Sequence, residues 1–375
     1  MSRSRRSFIQ KTSAASAAIA FGGILPGFSA SQYRNILGSN EKITAAVMGV
    51  NSRGLSVGTN FASQKECELM YVCDVDARAM DKCVTAVEKI QGKKPKAEGD
   101  FRKALEDKNL DLLIVTAPDH WHAPAAMLAV AAGKHVYLEK PCSHNPNEGE
   151  MLVKAATKHK KLLQMGNQRR SWPNVMAAIK ELHAGVIGRP YYAKTWYTNN
   201  RESIGVGKVT EVPSWMNYDL WQGPAPRRAY KDNLIHYNWH WFWATGNGDM
   251  NNQGTHQLDV ARWALEPKLT NPVRVMALGG RFKWNDQGET PNTMFAIAEY
   301  PNGQQVFFNV RNVNHPGYVH QVKNEYYFDD GGKIIDGTYF AKGSAKGEKL
   351  DLPPGKVTPG GNWGSFIAAC RAGKP

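Results

Sequence analysis

From Lys42 onward the apolar positions fall into two rhythms. Short runs that are apolar throughout, such as AAVM (45–48), LLIV (112–115) and VYL (136–138), read as strands buried on both faces. Between them lie stretches with helical spacing: NSRGLSVGTNFASQ, ARAMDKCVTAVEKIQ, APAAMLAVAAGK and the segment from about 147 to 159. With CELMYVCDVD and KLLQMGNQ added, strand and helix alternate as far as Gln168. That order predicts an α/β domain, a doubly wound parallel sheet of Rossmann type, over residues 41–168. The texture then changes. One helix is expected near 172–184, followed by RPYYAKTWYTNN, PVRVMALGGRF, NTMFAIAEYP, QQVFFNVRNVN and NEYYFDD, which alternate with the two-residue period of strands. Residues 169–375 are therefore expected to form an α+β domain with an open, mainly antiparallel sheet. The final NWGSFIAACRAGKP reads as a helix, with the C-terminus expected to be truncated.

Composition changes this picture little: 375 residues give room for two cores, and 42% apolar with 21% charged residues is ordinary for a globular protein. The formal charge of +14 is scattered, with GKKPK and KHKK as its densest runs. Solvated helix ends account for such runs, so no nucleic-acid partner is expected. At the N-terminus Arg3, Arg5, Arg6 and Lys11 have no acid among them. Paired Arg5-Arg6, then Ser7, Phe8, Ile9 and an Ala-rich stretch, read as a twin-arginine export signal over 1–30, cleaved near Ser29 or Ala30. The expectation is a periplasmic or otherwise exported protein with no stable membrane insertion after export. Cys67, Cys73, Cys83, Cys142 and Cys370 contain no Cys-x-x-Cys pair, which argues against a disulfide framework or zinc site.

Three clusters carry chemistry. Gly49-Val50-Asn51-Ser52-Arg53-Gly54 follows the first strand as G-x-G-x-x-G with Asn51 in the middle position, where Asn tolerates a positive φ. Asp74 ends the second strand twenty residues after Gly54, placed to accept ribose hydroxyls. This pair predicts a dinucleotide site. Asp74 favours NAD, while Arg53 and Arg78 keep NADP open. The second cluster joins Pro118-Asp119-His120-Trp121-His122 to Glu139-Lys140-Pro141. A carboxylate and an ammonium at the end of a buried strand are costly unless that end opens into a crevice, where open α/β sheets bind ligands. Pro118, His120, His122, Glu139, Lys140 and Gln168 are therefore assigned to the cofactor side, Arg169 and Arg170 to the cleft. The third cluster is Asn252 and His256, four residues apart before an amphipathic helix. Tyr237, Trp239 and Trp241 either stack on sugar faces or form core. His236 and His240 would hold a metal only with a third ligand, and no metal is expected.

The order Gly-x-Asn-x-x-Gly, Asp74, Pro-Asp-His-Trp-His, Glu139-Lys140-Pro141, Gly254-Thr255-His256 and Asp259 resembles the glucose–fructose oxidoreductase and inositol dehydrogenase family, and most of all its exported members. The resemblance runs from about Lys42 to Arg262. It implies a nucleotide-binding Rossmann domain and an open-sheet substrate domain through which copies often associate. It also implies that Lys140 and His256 are catalytic and that Asp259 faces the substrate. Where many members carry Asp four residues before the histidine, this chain has Asn252, which cannot accept a proton. The implied reaction removes hydride from a CH–OH group of a sugar or polyol, with NAD as acceptor, His256 as base and Lys140 as positioning cation. Two further classes stay open. One is an NAD-dependent glycoside hydrolase that oxidises its sugar transiently. The other is a non-catalytic sugar-binding protein, against which an intact Lys140 and His256 argue.

Overall fold

The computed structural model describes residues 42–373 apart from 186, 267, 269, 270, 314–320, 336, 353 and 354, with 321 and 322 described for their backbone only. The Arg5-Arg6 segment lies outside the described residues.

Six strands form the first sheet: β1 (Ile43–Met48), β2 (Cys67–Cys73), β3 (Lys96–Glu98), β4 (Leu112–Val115), β5 (His135–Leu138) and β6 (Leu163–Met165). All pair in parallel, in the order β3-β2-β1-β4-β5-β6. The direction of winding reverses between β1 and β4, and the crevice above that switch point is the ligand position of such sheets. Alternate residues of β1 feed opposite faces: Ala45 and Val47 join Phe61, Val84 and Tyr137, whereas Ala46 and Met48 join Leu113, Val115 and Leu138. Helices α1 (Arg53–Ala62), α2 (Ala77–Gln91), α3 (Phe101–Leu105), α4 (Asp119–Ala131) and α5 (Pro146–His159) cover the two faces. Their ends follow local rules. Asp76 caps α2 by accepting from the Arg78 and Ala79 amides, and Gly92 closes it at φ 70°. Asn145 caps α5, with Pro146 in its first turn.

Helix α4 departs from expectation. The sequence pattern starts this helix at Ala123, but it already begins at Asp119, directly after Pro118, with β4 ending at Val115. Asp119, His120 and His122 thus stand on the first turns of a helix.

The second sheet has eight strands in the order β14-β13-β12-β11-β7-β10-β9-β8. These are β7 (Pro190–Thr198), β8 (Arg274–Gly280), β9 (Thr293–Glu299), β10 (Gln305–Arg311), β11 (Gln321–Phe328), β12 (Lys333–Ile335), β13 (Thr338–Phe340) and β14 (Glu348–Lys349). Only β7 and β10 run parallel; the other pairs are antiparallel. Helices α6 (Pro173–His183) and α8 (Thr255–Leu265) pack Ile179, Leu182, Val260 and Ala264 against Val306, Tyr326 and Phe328 on one face. The other face leaves Met276, Leu278, Phe295 and Ile297 exposed. Between β7 and α8 runs a long excursion containing the short helix α7 (Tyr218–Gln222).

The last helix, α9 (Gly361–Ala372), does not belong with the second sheet as the chain order suggests. Phe366, Ile367 and Cys370 pack with Val47, Phe61 and Tyr137 in the first core, and Asn362 donates to the Tyr137 hydroxyl at 2.6 Å. All five thiols are free, and burial pushes Cys83 and Cys370 up to about 12. No helix among the described residues is long and apolar enough to cross a membrane.

Candidate active site

A cavity of about 380 Å³ opens above the β1–β4 switch point. Gly49, Asn51, Ser52 and Arg53 form one wall, with Asp74, Val75 and Phe101 at one end. At the other end are Lys140, Asn252, His256, Tyr237 and Trp239.

The first wall is shaped by two glycines. Gly49 has φ 80°, and a Cβ there would lie 2.6 Å from the Ala117 backbone. At Gly54 a Cβ would lie 1.9 Å from the Gly49 carbonyl oxygen. Gly54 thus sits behind the cavity wall and lets α1 start close to β1. Beyond Gly49, the positive φ in this loop falls on Ser52 (49°), not on Asn51 as the sequence pattern suggests. Ser52 makes no side-chain cap and α1 has no acid in its first turn, so the helix N-terminus keeps its partial positive charge for an anionic group. Asp74 lines the cavity with its carboxylate already engaged, Oδ2 accepting from the Val50 amide and Oδ1 from the Asp76 amide at 2.9 Å. It therefore also ties down the glycine loop. Burial pushes its pKa up, and the two amides pull it back. A pyrophosphate at α1 and a ribose at Asp74 fit this wall. We expect Gly54→Ala to force α1 away from β1 at about 1–3 kcal/mol, weakening NAD binding roughly 5- to 150-fold. Calorimetric titration with NAD checks this, and unaltered affinity would show that α1 has slack.

The roof comes from the excursion between β7 and α8, which clasps the first domain. The Ala77 amide donates to Trp215 O at 3.0 Å, and the Asn217 amide to Val75 O at 2.9 Å. His236 Nε2 lies 2.8 Å from Asp76 Oδ2, and the Arg78 guanidinium sits 3.4 Å above the Trp215 ring. Leu220, Trp221, His236, Tyr237, Trp239 and His240 reach the cavity from this segment. His236 and His240 do not converge: His240 Nδ1 lies 2.7 Å from Tyr237 O, with its ring stacked on Trp239. Among the described residues no group of three or more His, Cys, Asp or Glu side chains is arranged to hold a metal.

At the far end, a π turn over Met250–Gly254 runs into α8. Gly254 permits it, since a Cβ would lie 2.6 Å from the Phe308 ring. The turn brings Asn252 to Lys140, whose Nζ donates to Asn252 O at 2.6 Å and Oδ1 at 3.1 Å. The Asn252 amide nitrogen donates in turn to Asp249 Oδ1 at 3.0 Å and the Tyr237 hydroxyl at 3.2 Å. Asp249 is fully buried. Arg201 holds it through Nε and Nη2 at 3.0 and 3.1 Å, and Asn312 donates to it at 2.6 Å. An Asp at position 252 would face that carboxylate, which explains physically why an amide stands there. Burial pulls Lys140 below the ordinary lysine range, opposed chiefly by Asp119 and Glu139. Burial, then Lys140, Arg169 and Arg53, lower His256 to about 3, so its imidazole is neutral at pH 7. His256 Nδ1 is buried without a hydrogen-bond partner, and the residue lines the cavity.

The cavity thus gathers Gly49, Asn51, Ser52, Arg53, Asp74, Pro118, His122, Glu139, Lys140, Gln168, Tyr237, Trp239, Asn252 and His256. Glu139 is held by Arg53 at 2.8 Å, and Gln168, with its amide turned to suit its neighbours, accepts from Arg53 at 3.1 Å. His122 points its ring nitrogens at Pro141 O and Ala117 O. Other expected residues lie elsewhere. His120 is buried behind the wall against Trp221 O and Thr245 O. Trp241 is core, with the Arg201 guanidinium 5.5 Å from its ring. Arg170 and Asp259 satisfy each other through three contacts of 2.7–3.0 Å and brace α8, so neither lines the cavity. Arg169 lies beside them, its guanidinium 5.5 Å from the Trp172 ring. Asp119, Trp221, Arg201 and Asp249 were not singled out from the sequence, although Asp119 lies inside the Pro-Asp-His run and Asp249 three residues before Asn252.

Known proteins share both domains of this chain. Residues 43–167 match the GFO/IDH/MocA oxidoreductase family, NAD-binding Rossmann fold, and residues 180–279 match its C-terminal alpha/beta domain. A glycosyl hydrolase family 109 protein of Saccharopolyspora erythraea is 27% identical over 253 residues, 61% of this chain and 55% of that protein. An alpha-N-acetylgalactosaminidase of Shewanella oneidensis is 24% identical over 161 residues, 42% of this chain and 35% of that one. The chain spans about half or less of the length of these curated relatives. Among solved structures, GenD2 from gentamicin A biosynthesis in complex with NAD superposes with TM-score 0.65 at 17% identity, covering 94% of this chain and 91% of that one. Levoglucosan dehydrogenase in complex with NADH gives 0.64 at 16%, covering 89% and 91%. The myo-inositol dehydrogenase of Lactobacillus casei gives 0.61 at 16%, covering 89% and 88%. A glycine loop at a switch point, an acid ending β2, a lysine after β5 and both matched domains identify this chain as an NAD-binding member of the GFO/IDH/MocA oxidoreductase family.

Proposed function

We propose that this protein oxidises a CH–OH group of a sugar or polyol with NAD held tightly, and that it works after export. The observation that carries the reading is the pairing of Lys140, fixed by Asn252, with the unpartnered Nδ1 of His256 in one cavity. When bound, NAD supplies the hydride acceptor. Lys140 places a hydrogen-bond donor where charge develops on the carbinol oxygen, and neutral His256 orients the hydroxyl. Tyr237 and Trp239 offer ring faces to the substrate side. Sugar and polyol dehydrogenases among the structural neighbours support this substrate class. The clasp of Asp76 and Arg78 with Trp215 and His236 supports retention of the cofactor. NADP stays the less favoured cofactor because Asp74 lines the same end. The reading includes association with a second copy through the open sheet face that exposes Met276, Leu278, Phe295 and Ile297.

The glycosyl hydrolase family 109 relatives favour a second reading, in which the ring hydroxyl is oxidised, a glycosidic bond eliminated and the hydride returned. Product analysis on a carbohydrate panel separates the two. We expect the purified protein to carry nicotinamide nucleotide and to turn over repeatedly with none added, giving a keto-sugar. A released aglycone at constant NAD would favour the hydrolase. An empty protein with a millimolar NAD requirement and stoichiometric NADH would defeat tight retention.

A further inference from the structure

His236 belongs to the excursion between β7 and α8, yet its ring is turned towards the first domain. Nε2 lies 2.8 Å from Asp76 Oδ2, and the ring stacks with Trp215, centroids 6.0 Å apart. Asp76 is bonded in turn to the acid that ends β2, its amide donating to Asp74 Oδ1 at 2.9 Å. Asp74 and His236 both line the cavity. One hydrogen-bonded chain, Asp74–Asp76–His236, therefore joins a residue of each domain on that wall.

Asp76 decides how the imidazole is used. Burial pushes its carboxyl up, but the hydrogen bonds from Arg78 outweigh burial and hold it below the usual carboxylate range. An ionised carboxylate only accepts, so Nε2 carries the hydrogen, and in the neutral ring Nδ1 keeps a lone pair. Nδ1 makes no hydrogen bond among the described residues. The neighbouring acids are engaged: Asp100 is held by Arg102 at 2.6 and 2.8 Å, and each Asp74 oxygen already accepts from a backbone amide. Asn51 also lines the cavity, but its side chain is exposed and has no hydrogen bond among the described residues to fix it. Nδ1 is thus an oriented acceptor on the same wall as a second acceptor, Asp74. Two such acceptors match two neighbouring O–H donors, which a ribose diol supplies and a 2′-phosphate does not.

We propose that His236 is a cofactor-binding residue supplied by the second domain. Its Nδ1 accepts a hydrogen bond from one hydroxyl of the adenosine ribose of NAD, while Asp74 accepts from the other. The excursion then reads the cofactor as well as covering it. This inference needs NAD but no particular alcohol, so it stands apart from the oxidation reading.

The test is a competition. The whole purified protein is equilibrated with an excess of NAD and of its adenosine 2′-deoxy or 3′-deoxy analogue in equal amounts. The bound ratio is read by mass spectrometry of the acid extract, with no carbohydrate present. The wild type should prefer NAD over both analogues, each of which lacks one of the two contacts. For a neutral hydrogen bond that preference is about 2- to 12-fold. His236→Gln keeps an N–H that reaches Asp76 but removes Nδ1. It should lose the preference over one analogue and keep the preference over the other. His236→Ala should lose the same preference and, without the bond to Asp76, also release its NAD faster. A residue that only fastened the clasp would speed release in His236→Ala yet leave both ratios at the wild-type value in either variant. That result would overturn the contact. So would a wild type that does not distinguish NAD from either analogue, or a protein that binds none of the three. A protein that gives the expected ratios but oxidises no carbohydrate would overturn the reaction and leave this contact standing.

Discussion

Lys140→Ala is expected to lower turnover about 10²- to 10⁴-fold while the protein still folds and still carries its NAD. The argument is one of position. Lys140 Nζ lies at the reactive end of the cavity, fixed by two oxygens of Asn252. The groups that fit a pyrophosphate and a ribose, the Gly49–Ser52 loop and Asp74, come from other elements of the lining and make no bond to Nζ. Truncation removes the donor beside the developing alkoxide and leaves those groups in place. The Asn252 oxygens it frees face the cavity, where water replaces the ammonium. Nicotinamide content after acid extraction, measured with kcat on the same preparation, checks both halves. Wild-type kcat would remove Lys140 from the chemistry, and loss of NAD would show that it holds the cofactor instead.

The parts of this site legible from sequence are those built from neighbours along the chain. Gly49 and Gly54 bracket one turn, Asp74 ends the adjacent strand, and Glu139-Lys140-Pro141 breaks an apolar run where β5 meets the cavity. Period and strand order suffice for these, because a parallel α/β sheet delivers its strand ends to one edge. What escaped depends on long-range contact. Asp249 meets Arg201 and Asn312 across 48 and 63 residues, and no local pattern marks the excursion that brings Asp76 to His236. Trp239 and Trp241 look alike in HYNWHWFW, yet a single 3₁₀ turn sends one to the cavity and the other into the core. Arg170 and Asp259 carry the charges of a binding site but spend them on each other. The final helix reads correctly as a helix; its return to the first core is a tertiary fact, set by Phe366 and Ile367 fitting beside Phe61 and Tyr137.

The buried ion pair beneath the cavity leads to the second large effect. Arg201→Met should destabilise the protein by about 3–5 kcal/mol, because it leaves Asp249, with no exposed surface, as an uncompensated buried charge. Methionine keeps much of the length and apolar bulk of the arginine stem, which runs past Tyr197, Tyr237 and Trp241. The loss is therefore mainly electrostatic. Adding Asp249→Leu removes the stranded charge and should restore much of that stability, since replacing both members of a buried pair by apolar groups is often neutral. Turnover should not follow. Without Asp249, the Asn252 amide loses the acceptor that turns its oxygen towards Lys140, and Lys140 loses its fixed position. Urea unfolding and kcat, measured on both single variants and the double variant, separate the two roles. The double variant should regain most of its unfolding midpoint and keep a reduced kcat. Recovery of both together would show that Asp249 serves only the fold, and recovery of neither would show that its packing, not its charge, holds this floor in place.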